Sequence, residues 1–139
     1  MNIKTFFDPD TSTLTYIVYD SATKDAVVID PVLDYDSGSS KYKTESVDNV
    51  IQFINKKNLN LHYILETHAH ADHLSGSQFL KQSFPESKLA IGKNIKLVQS
   101  KFKHIFNFND FNESGIQFDL LLEDESVVKA GTLSIKVMF

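Results

Sequence analysis

The sequence has 139 residues, of which 42% are hydrophobic and 23% are charged, and its formal net charge is −4. This composition is typical of one globular domain that can bury its own core, and the net negative charge favours neither nucleic acid nor an anionic membrane surface as a partner. Because the chain has no cysteine, disulfides, thiolate metal sites and a cysteine nucleophile are excluded, and nitrogen and oxygen must hold any metal.

The N-terminal third of the chain predicts a β-hairpin followed by a long loop. Residues 13–19 and 26–29 are rich in β-branched and aromatic side chains, which favours two strands joined by a polar turn. Asp30 and Pro31 end the second strand, because proline cannot donate a hydrogen bond to a neighbouring strand. Residues 34–46 are polar and predict a long surface loop, which is either functional or simply flexible.

The rest of the chain alternates predicted helices and strands. Val47, Val50, Ile51 and Ile54 form the apolar stripe of a helix, with Ser46 as its N-cap. The elements predicted after it are a strand at 59–66, a helix at 75–84, a strand at 88–91, a helix with the stripe Ile95, Val98, Phe102, Ile105 and Phe106, and strands at 118–122, 127–128 and 133–139. This order predicts an α/β domain with helices on at least one face of a sheet.

Residues 93–103 mix basic and aromatic side chains. At helical spacing we expect the aromatic residues to lie in the core and the lysines to form a solvated face. This segment is therefore not interpreted as a nucleic-acid surface.

The densest cluster of chemically active residues directly follows the strand predicted at 59–66, in the run Thr67-His68-Ala69-His70-Ala71-Asp72-His73. Imidazole and carboxylate bind divalent transition metals without thiolate. On an extended segment His68 and His70 project to the same side and can reach one ion. Asp72 and His73 lie where the chain should turn into a helix, where they can face the same ion or a second one. The sequence therefore predicts a metal site, whereas His62 and His104, each isolated, are interpreted as structural.

This run resembles the T-H-x-H-x-D-H signature of the metallo-β-lactamase superfamily, whose fold is an αββα sandwich. Further segments resemble bacterial persulfide dioxygenases, namely residues 7–16, 29–35, 64–77, 91–93 and 98–107. The resemblance implies that residues 1–139 form a single, truncated domain. That domain would be the N-terminal half of the sandwich, a mixed sheet with flanking helices.

The resemblance to persulfide dioxygenases implies one Fe(II) ion and the oxidation of glutathione persulfide by O₂ to sulfite and glutathione. His68 maps to the first motif histidine, which binds iron in that branch together with a distant histidine and a distant aspartate. His70, Asp72 and His73 would then orient the ligand and tune the metal.

Glyoxalase II, a zinc hydrolase of glutathione thioesters, is the main alternative within the superfamily. There His68 and His70 would hold one zinc ion, and Asp72 and His73 a second one. Under either interpretation Asp72 is the candidate catalytic carboxylate of this sequence.

The family's remaining ligands follow the strand that here ends at Phe139. The resemblance thus implies that the sequence supplies one iron ligand of three, or lacks the bridging aspartate and two histidines of a zinc site. A third interpretation is a non-catalytic remnant of the fold. We also expect an open apolar face and an unpaired strand edge, hence self-association or a complementing C-terminal half. No apolar run could span a bilayer and no signal peptide is evident, so we expect a cytoplasmic location.

Overall fold

The computed structural model describes all of residues 1–139 and contains eleven strands and three helices. The strands are β1 (Asn2–Asp8), β2 (Thr13–Tyr19), β3 (Asp25–Ile29), β4 (Val32–Asp36), β5 (Lys41–Lys43), β6 (Asn60–Glu66), β7 (Leu74–Ser75), β8 (Lys88–Gly92), β9 (Leu120–Leu122), β10 (Val127–Ala130) and β11 (Leu133–Lys136). The helices are α1 (Glu45–Lys57), α2 (Ser77–Ser83) and α3 (Ile95–Ile105). None of them is both long enough and apolar enough to cross a lipid bilayer.

Six strands form the main sheet, in the order β1-β2-β3-β6-β8-β9. The first three are antiparallel, whereas β3, β6, β8 and β9 run parallel to one another. Parallel neighbours require crossover connections, and α1, α2 and α3 lie in the three crossovers. The predicted α/β fold, a mixed sheet with flanking helices, is confirmed. The carboxyl ends of the parallel strands meet at one edge, where α/β sheets place their sites.

The two faces of this sheet are covered by different elements. Alternate residues of a strand point to opposite faces, so Val28 and Ile64 pack in one core cluster while Val27 and Leu65 pack in another. The first cluster includes residues of α1 and α2, and the second includes Ala130 and Leu133 of the β10–β11 hairpin. The sheet is thus enclosed by helices on one side and by a small second sheet on the other.

Residues 34–46 do not form the predicted loop. They contain most of β4 and all of β5, which pair as an antiparallel hairpin. Asp36 stabilises the turn between them by accepting the backbone N–H groups of Gly38 and Ser39. The prediction of Ser46 as the N-cap is also wrong, since α1 begins at Glu45 and the side chain of Ser46 instead donates to Asp34.

The predicted burial of the apolar residues in the C-terminal half of α3 is wrong. Ile95 and Gln99 are the buried residues of this helix, whereas Phe102, Ile105 and Phe106 are about half exposed or more. The predicted helical periodicity is correct, but an apolar stripe is buried only where another element packs against it. β1, which the sequence analysis did not predict, is largely exposed and carries no clear alternation of apolar and polar residues.

Candidate metal centre

The histidine-rich run occupies a loop, residues 67–73, that leaves the carboxyl end of β6 and enters β7. It does not turn directly into a helix, as was predicted for Asp72 and His73, because β7 pairs with β4 before α2 begins. Asp30, directly after β3, anchors the start of the loop. Its Oδ1 accepts the Thr67 backbone N–H at 2.7 Å, and its Oδ2 accepts the Thr67 hydroxyl at 2.7 Å.

The imidazole of His70 is held between two carboxylates. Its Nε2 lies 3.0 Å from Asp30 Oδ1 and 3.2 Å from Glu66 Oε2, and its side chain is only 7% exposed. Carboxylates only accept hydrogen bonds, so Nε2 carries the proton. The Glu66 carboxylate, followed by that of Asp30, raises the pKa of His70 to about 9, although burial acts in the opposite direction. This arrangement leaves Nδ1 of His70 directed at Asp72, whose Oδ1 lies 3.9 Å away.

Three of the four predicted ligands form one compact group. Ligand atoms of His70, Asp72 and His73 all lie within 4.8 Å of one another. His68 lies outside this group, but its ring centroid is 4.2 Å from that of His70, and the His70 and His73 centroids are also 4.2 Å apart. The loop therefore brings three imidazoles into a row, with the half-exposed Asp72 carboxylate beside the last two.

The donor set fits a divalent transition metal ion. Nδ1 of His73 donates to the Leu74 carbonyl at 2.8 Å, which leaves Nε2 with a free lone pair, and this atom is buried without a partner. A buried polar atom without a partner is costly, and a bound ion would satisfy it. Imidazole nitrogen together with carboxylate oxygen is a donor set found at zinc and non-haem iron sites.

Two site residues were missed by the sequence analysis. Asp30 and Glu66 form a second ligand-like group with His70. The available signal was the position of Glu66, because a glutamate that shares a strand face with the buried Ile64 needs a polar partner. The Glu66 side chain is 4% exposed, and its Oε1 accepts hydrogen bonds from the Ser75 and Ser77 hydroxyls.

The loop borders two cavities large enough for small molecules. One has a volume of about 190 Å³ and lies between His68, His70 and His73 and an apolar wall that includes Ile91 and Phe118. The other, of about 410 Å³, lies where His70, Asp72 and His73 meet the β4–β5 hairpin. The loop thus borders one cavity with an apolar wall and one acidic cavity lined by four aspartates.

The two histidines outside the loop lie away from this site. His62 contacts Asp25 at 2.7 Å, and Asp25 precedes the rest of β3 at the opposite end of the sheet. His104 is exposed near the end of α3. Neither belongs to a ligand group.

Comparison with known proteins identifies related chains. The family model described as "Metallo-beta-lactamase superfamily" matches residues 8–129. A probable metallo-hydrolase of Burkholderia pseudomallei is 40% identical over 99% of this chain and 47% of its own length. Glyoxylase B2 of Dictyostelium discoideum is 38% identical over 98% of this chain and 47% of its own, and human mitochondrial persulfide dioxygenase ETHE1 is 28% identical over 96% and 41%.

A solved structure has the same arrangement of elements. The crystal structure of ETHE1 from Myxococcus xanthus superposes with a TM-score of 0.71 at 26% identity, covering 98% of this chain and 47% of that protein. The chain therefore spans slightly less than half the length of the Burkholderia, Dictyostelium and Myxococcus proteins.

Proposed function

The chain belongs to the metallo-beta-lactamase superfamily, and on this premise we propose that it carries the metal-binding loop of a persulfide dioxygenase-like protein. The reaction would consume glutathione persulfide, O₂ and water and yield glutathione, sulfite and protons. The outer sulfur of the persulfide is oxidised, O₂ is reduced, and water supplies the third oxygen of sulfite. The observation that carries the proposal is the similarity to ETHE1 proteins over nearly the whole chain, including the loop 67–73.

In this proposal His68 is the Fe(II) ligand that the loop contributes. Its exposed imidazole borders the smaller cavity, and its ring is supported by that of His70. Asp30 and Glu66 fix His70, so the loop presents its donors in one geometry. Asp72 is the catalytic candidate, because its half-exposed carboxylate on the wall of the larger cavity can accept the persulfide proton.

A glyoxalase II-like hydrolysis of glutathione thioesters is the second candidate. It is favoured by the group of His70, Asp72 and His73, which offers a carboxylate in direct reach of two imidazoles. The similarity to glyoxylase B2 points the same way. A bound ion would supply redox chemistry with O₂ if it is iron, and Lewis acidity toward the thioester carbonyl if it is one or two zinc ions.

One set of measurements on residues 1–139 distinguishes the dioxygenase from the hydrolase. The chain is purified without oxygen, and its elemental metal content is compared with that of the His68→Ala and His104→Ala variants. Oxygen uptake with glutathione persulfide and hydrolysis of a glutathione thioester are then measured side by side. Iron content and oxygen uptake that are lost only in His68→Ala are the expected result.

The other outcomes contradict the first candidate. Zinc together with thioester hydrolysis would favour the second candidate instead. No metal and neither activity would contradict both and leave the third interpretation, a non-catalytic remnant of the fold. His104→Ala serves as the matched control because His104 is exposed on α3 and away from the loop.

A further inference from the structure

β1 forms a long open edge of the main sheet. It stands first in the strand order, so β2 is its only neighbour in the sheet. No backbone hydrogen bond joins residues 2–8 to any other element. In an antiparallel edge strand every second residue turns its N–H and C=O groups away from the neighbouring strand. β1 therefore presents a row of unpaired backbone groups to solvent, which is a template for one more strand.

β1 lacks the features by which edge strands commonly avoid association. Its pairing with β2 is continuous from Asn2 to Asp8, without a bulge, and the strand contains no proline. The ammonium group of Lys4 lies 5.0 Å from the ring centroid of Phe6, and thus over a face of its own strand. Phe7 is 62% exposed on the other face. Neither a charge nor a distortion of the backbone thus closes this edge.

We infer that β1 binds a second copy of this chain, by antiparallel pairing of the two β1 strands about a two-fold axis at Phe6. This pairing joins the two six-stranded sheets into one continuous sheet. The loop 67–73 of each copy stays open, because β2 and β3 separate β1 from β6, the strand that the loop leaves. The inference is independent of the proposed metal-binding function.

The alternation of backbone hydrogen bonds restricts where the axis can lie. In antiparallel strands the two residues of an opposite pair either both exchange hydrogen bonds across the pair or both do not. An axis between two residues would place a residue that points outward opposite one that points inward. The axis must therefore pass through a residue and its own copy. Only axes at Lys4, Thr5 and Phe6 keep at least five of the seven residues of β1 paired.

The charges on β1 favour one of these three axes. An axis at Lys4 places two lysines opposite each other, which is unfavourable, and an axis at Thr5 places neither charged residue opposite an opposite charge. An axis at Phe6 places Lys4 of each copy opposite Asp8 of the other, and it also pairs the two Phe6 rings. Opposite charges and aromatic rings in directly opposite positions stabilise strand pairing. Asp8 is available for this pair, because only its Oδ2 accepts hydrogen bonds, both from Thr11.

The oligomeric state of the metal-free chain tests the inference. Sedimentation velocity over a series of concentrations should show a reversible equilibrium between monomer and dimer. Lys4→Glu places like charges opposite each other at two positions of the dimer, so it should raise the dissociation constant about tenfold or more. Lys101→Glu is the matched control, because it makes the same change of charge at an exposed position on α3. It should leave the dissociation constant unchanged.

Disulfide formation reads the register, because the chain has no cysteine of its own. With the axis at Phe6, Thr5 of each copy lies opposite Phe7 of the other, at a Cα–Cα distance that a disulfide can bridge. A mixture of Thr5→Cys and Phe7→Cys chains should therefore form mixed dimers in preference to either homodimer. Intact masses distinguish the three products. A mixture of Thr5→Cys and Ile105→Cys, the latter at an exposed position on α3, should show no such preference.

Three results would overturn the inference. A chain that stays monomeric at the highest concentration leaves the edge to a different polypeptide. Equal dissociation constants for Lys4→Glu and Lys101→Glu contradict the charge pairs, and Thr5→Cys homodimers in excess over mixed dimers place the axis at Thr5. Circular dichroism establishes that each variant is folded. If Lys4→Glu does not fold, the cysteine variants still decide, since Thr5 and Phe7 are exposed.

Discussion

The carboxylate of Asp25 occupies the space that a side chain at Gly131 would need. A Cβ at Gly131 would lie 2.1 Å from Cγ of Asp25. The same carboxylate accepts the backbone N–H of Thr132 at 2.9 Å and contacts His62 at 2.7 Å. This contact fastens the turn of the β10–β11 hairpin to the start of β3. It requires that residue 131 has no side chain and adopts a left-handed backbone conformation, as Gly131 does with φ +59°.

Gly131→Ala should therefore destabilise the fold. The left-handed conformation costs a non-glycine residue about 1–2 kcal/mol, and displacement of the Asp25 carboxylate adds to this cost. Urea unfolding followed by circular dichroism measures the loss of free energy of unfolding. Gly38→Ala is the control, because its new Cβ would approach only the flexible, exposed Asp36 side chain, at 3.2 Å. Equal stability of the two variants would contradict the role of the Asp25–Gly131 contact.

Asp25 should also make the stability depend on acid pH. The Thr132 backbone N–H, and then His62 and Thr23, hold the pKa of the Asp25 carboxyl well below its ordinary value of 3.8. A group with a lowered pKa in the folded state stabilises the fold above the unfolded-state pKa, and this contribution is lost as the pH falls through the folded-state pKa. The stabilisation should thus be complete near neutral pH and decline below about pH 3.8.

The measurement compares urea midpoints of the wild type and Asp25→Asn at a series of pH values. The wild type should be more stable near neutral pH, and the difference should shrink as the pH falls below the ordinary aspartate range. Asp110→Asn, an exposed position, should show no such convergence. A difference that stays constant down to strongly acidic pH would contradict the charged contact.

Two isoleucines of the main sheet should differ in their contribution to stability. Ile64 on β6 is fully buried, whereas Ile3 on β1 is 60% exposed. Ile64→Ala should lower the free energy of unfolding by about 2–5 kcal/mol, since it removes buried methyl groups and leaves a cavity. Ile3→Ala should change it little. Urea titration of both variants checks the prediction, and a similar loss in both would mean that the main core lies elsewhere.

Local sequence pattern was sufficient for the elements whose burial depends on near neighbours. The stripe with Val47, Val50 and Ile54 predicted α1, and the three side chains are buried as expected. The prediction failed where a distant residue determines the local structure. Residues 34–46 form a hairpin in which Asp34 pairs with Lys43 across the turn, and Ser46 donates to Asp34 instead of capping the helix.

The candidate site was likewise predictable only in the part that depends on local sequence. The candidate ligands of the loop are visible in the sequence because they are dense and follow a strand. Asp30 and Glu66 are not, because their meeting depends on the parallel pairing of β3 with β6, which is set by the register of two strands far apart in the chain. The exposure of Phe102 and Phe106 was likewise not predictable, since periodicity shows that a face is apolar but not whether another element covers it.

His68 and Asp72 should contribute differently to metal affinity. Under the iron proposal His68 is the ligand from this loop, and Asp72 acts beside it. His68→Ala should then abolish Fe(II) binding, whereas Asp72→Asn should weaken it only modestly. Under the zinc alternative Asp72 is itself a ligand, so Asp72→Asn should cost Zn²⁺ affinity as severely as His68→Ala does.

Anaerobic Fe(II) and Zn²⁺ titrations of the wild type and both variants separate these cases. Asp10→Asn is the control for Asp72→Asn, because Asp10 borders the same acidic cavity without belonging to a ligand group. Asp72→Asn keeps the size of the side chain and removes its charge, so a loss confined to this variant reports on the carboxylate itself. Metal occupancy that survives His68→Ala would show that the ligand assignment is wrong and would shift it to the group of His70, Asp72 and His73.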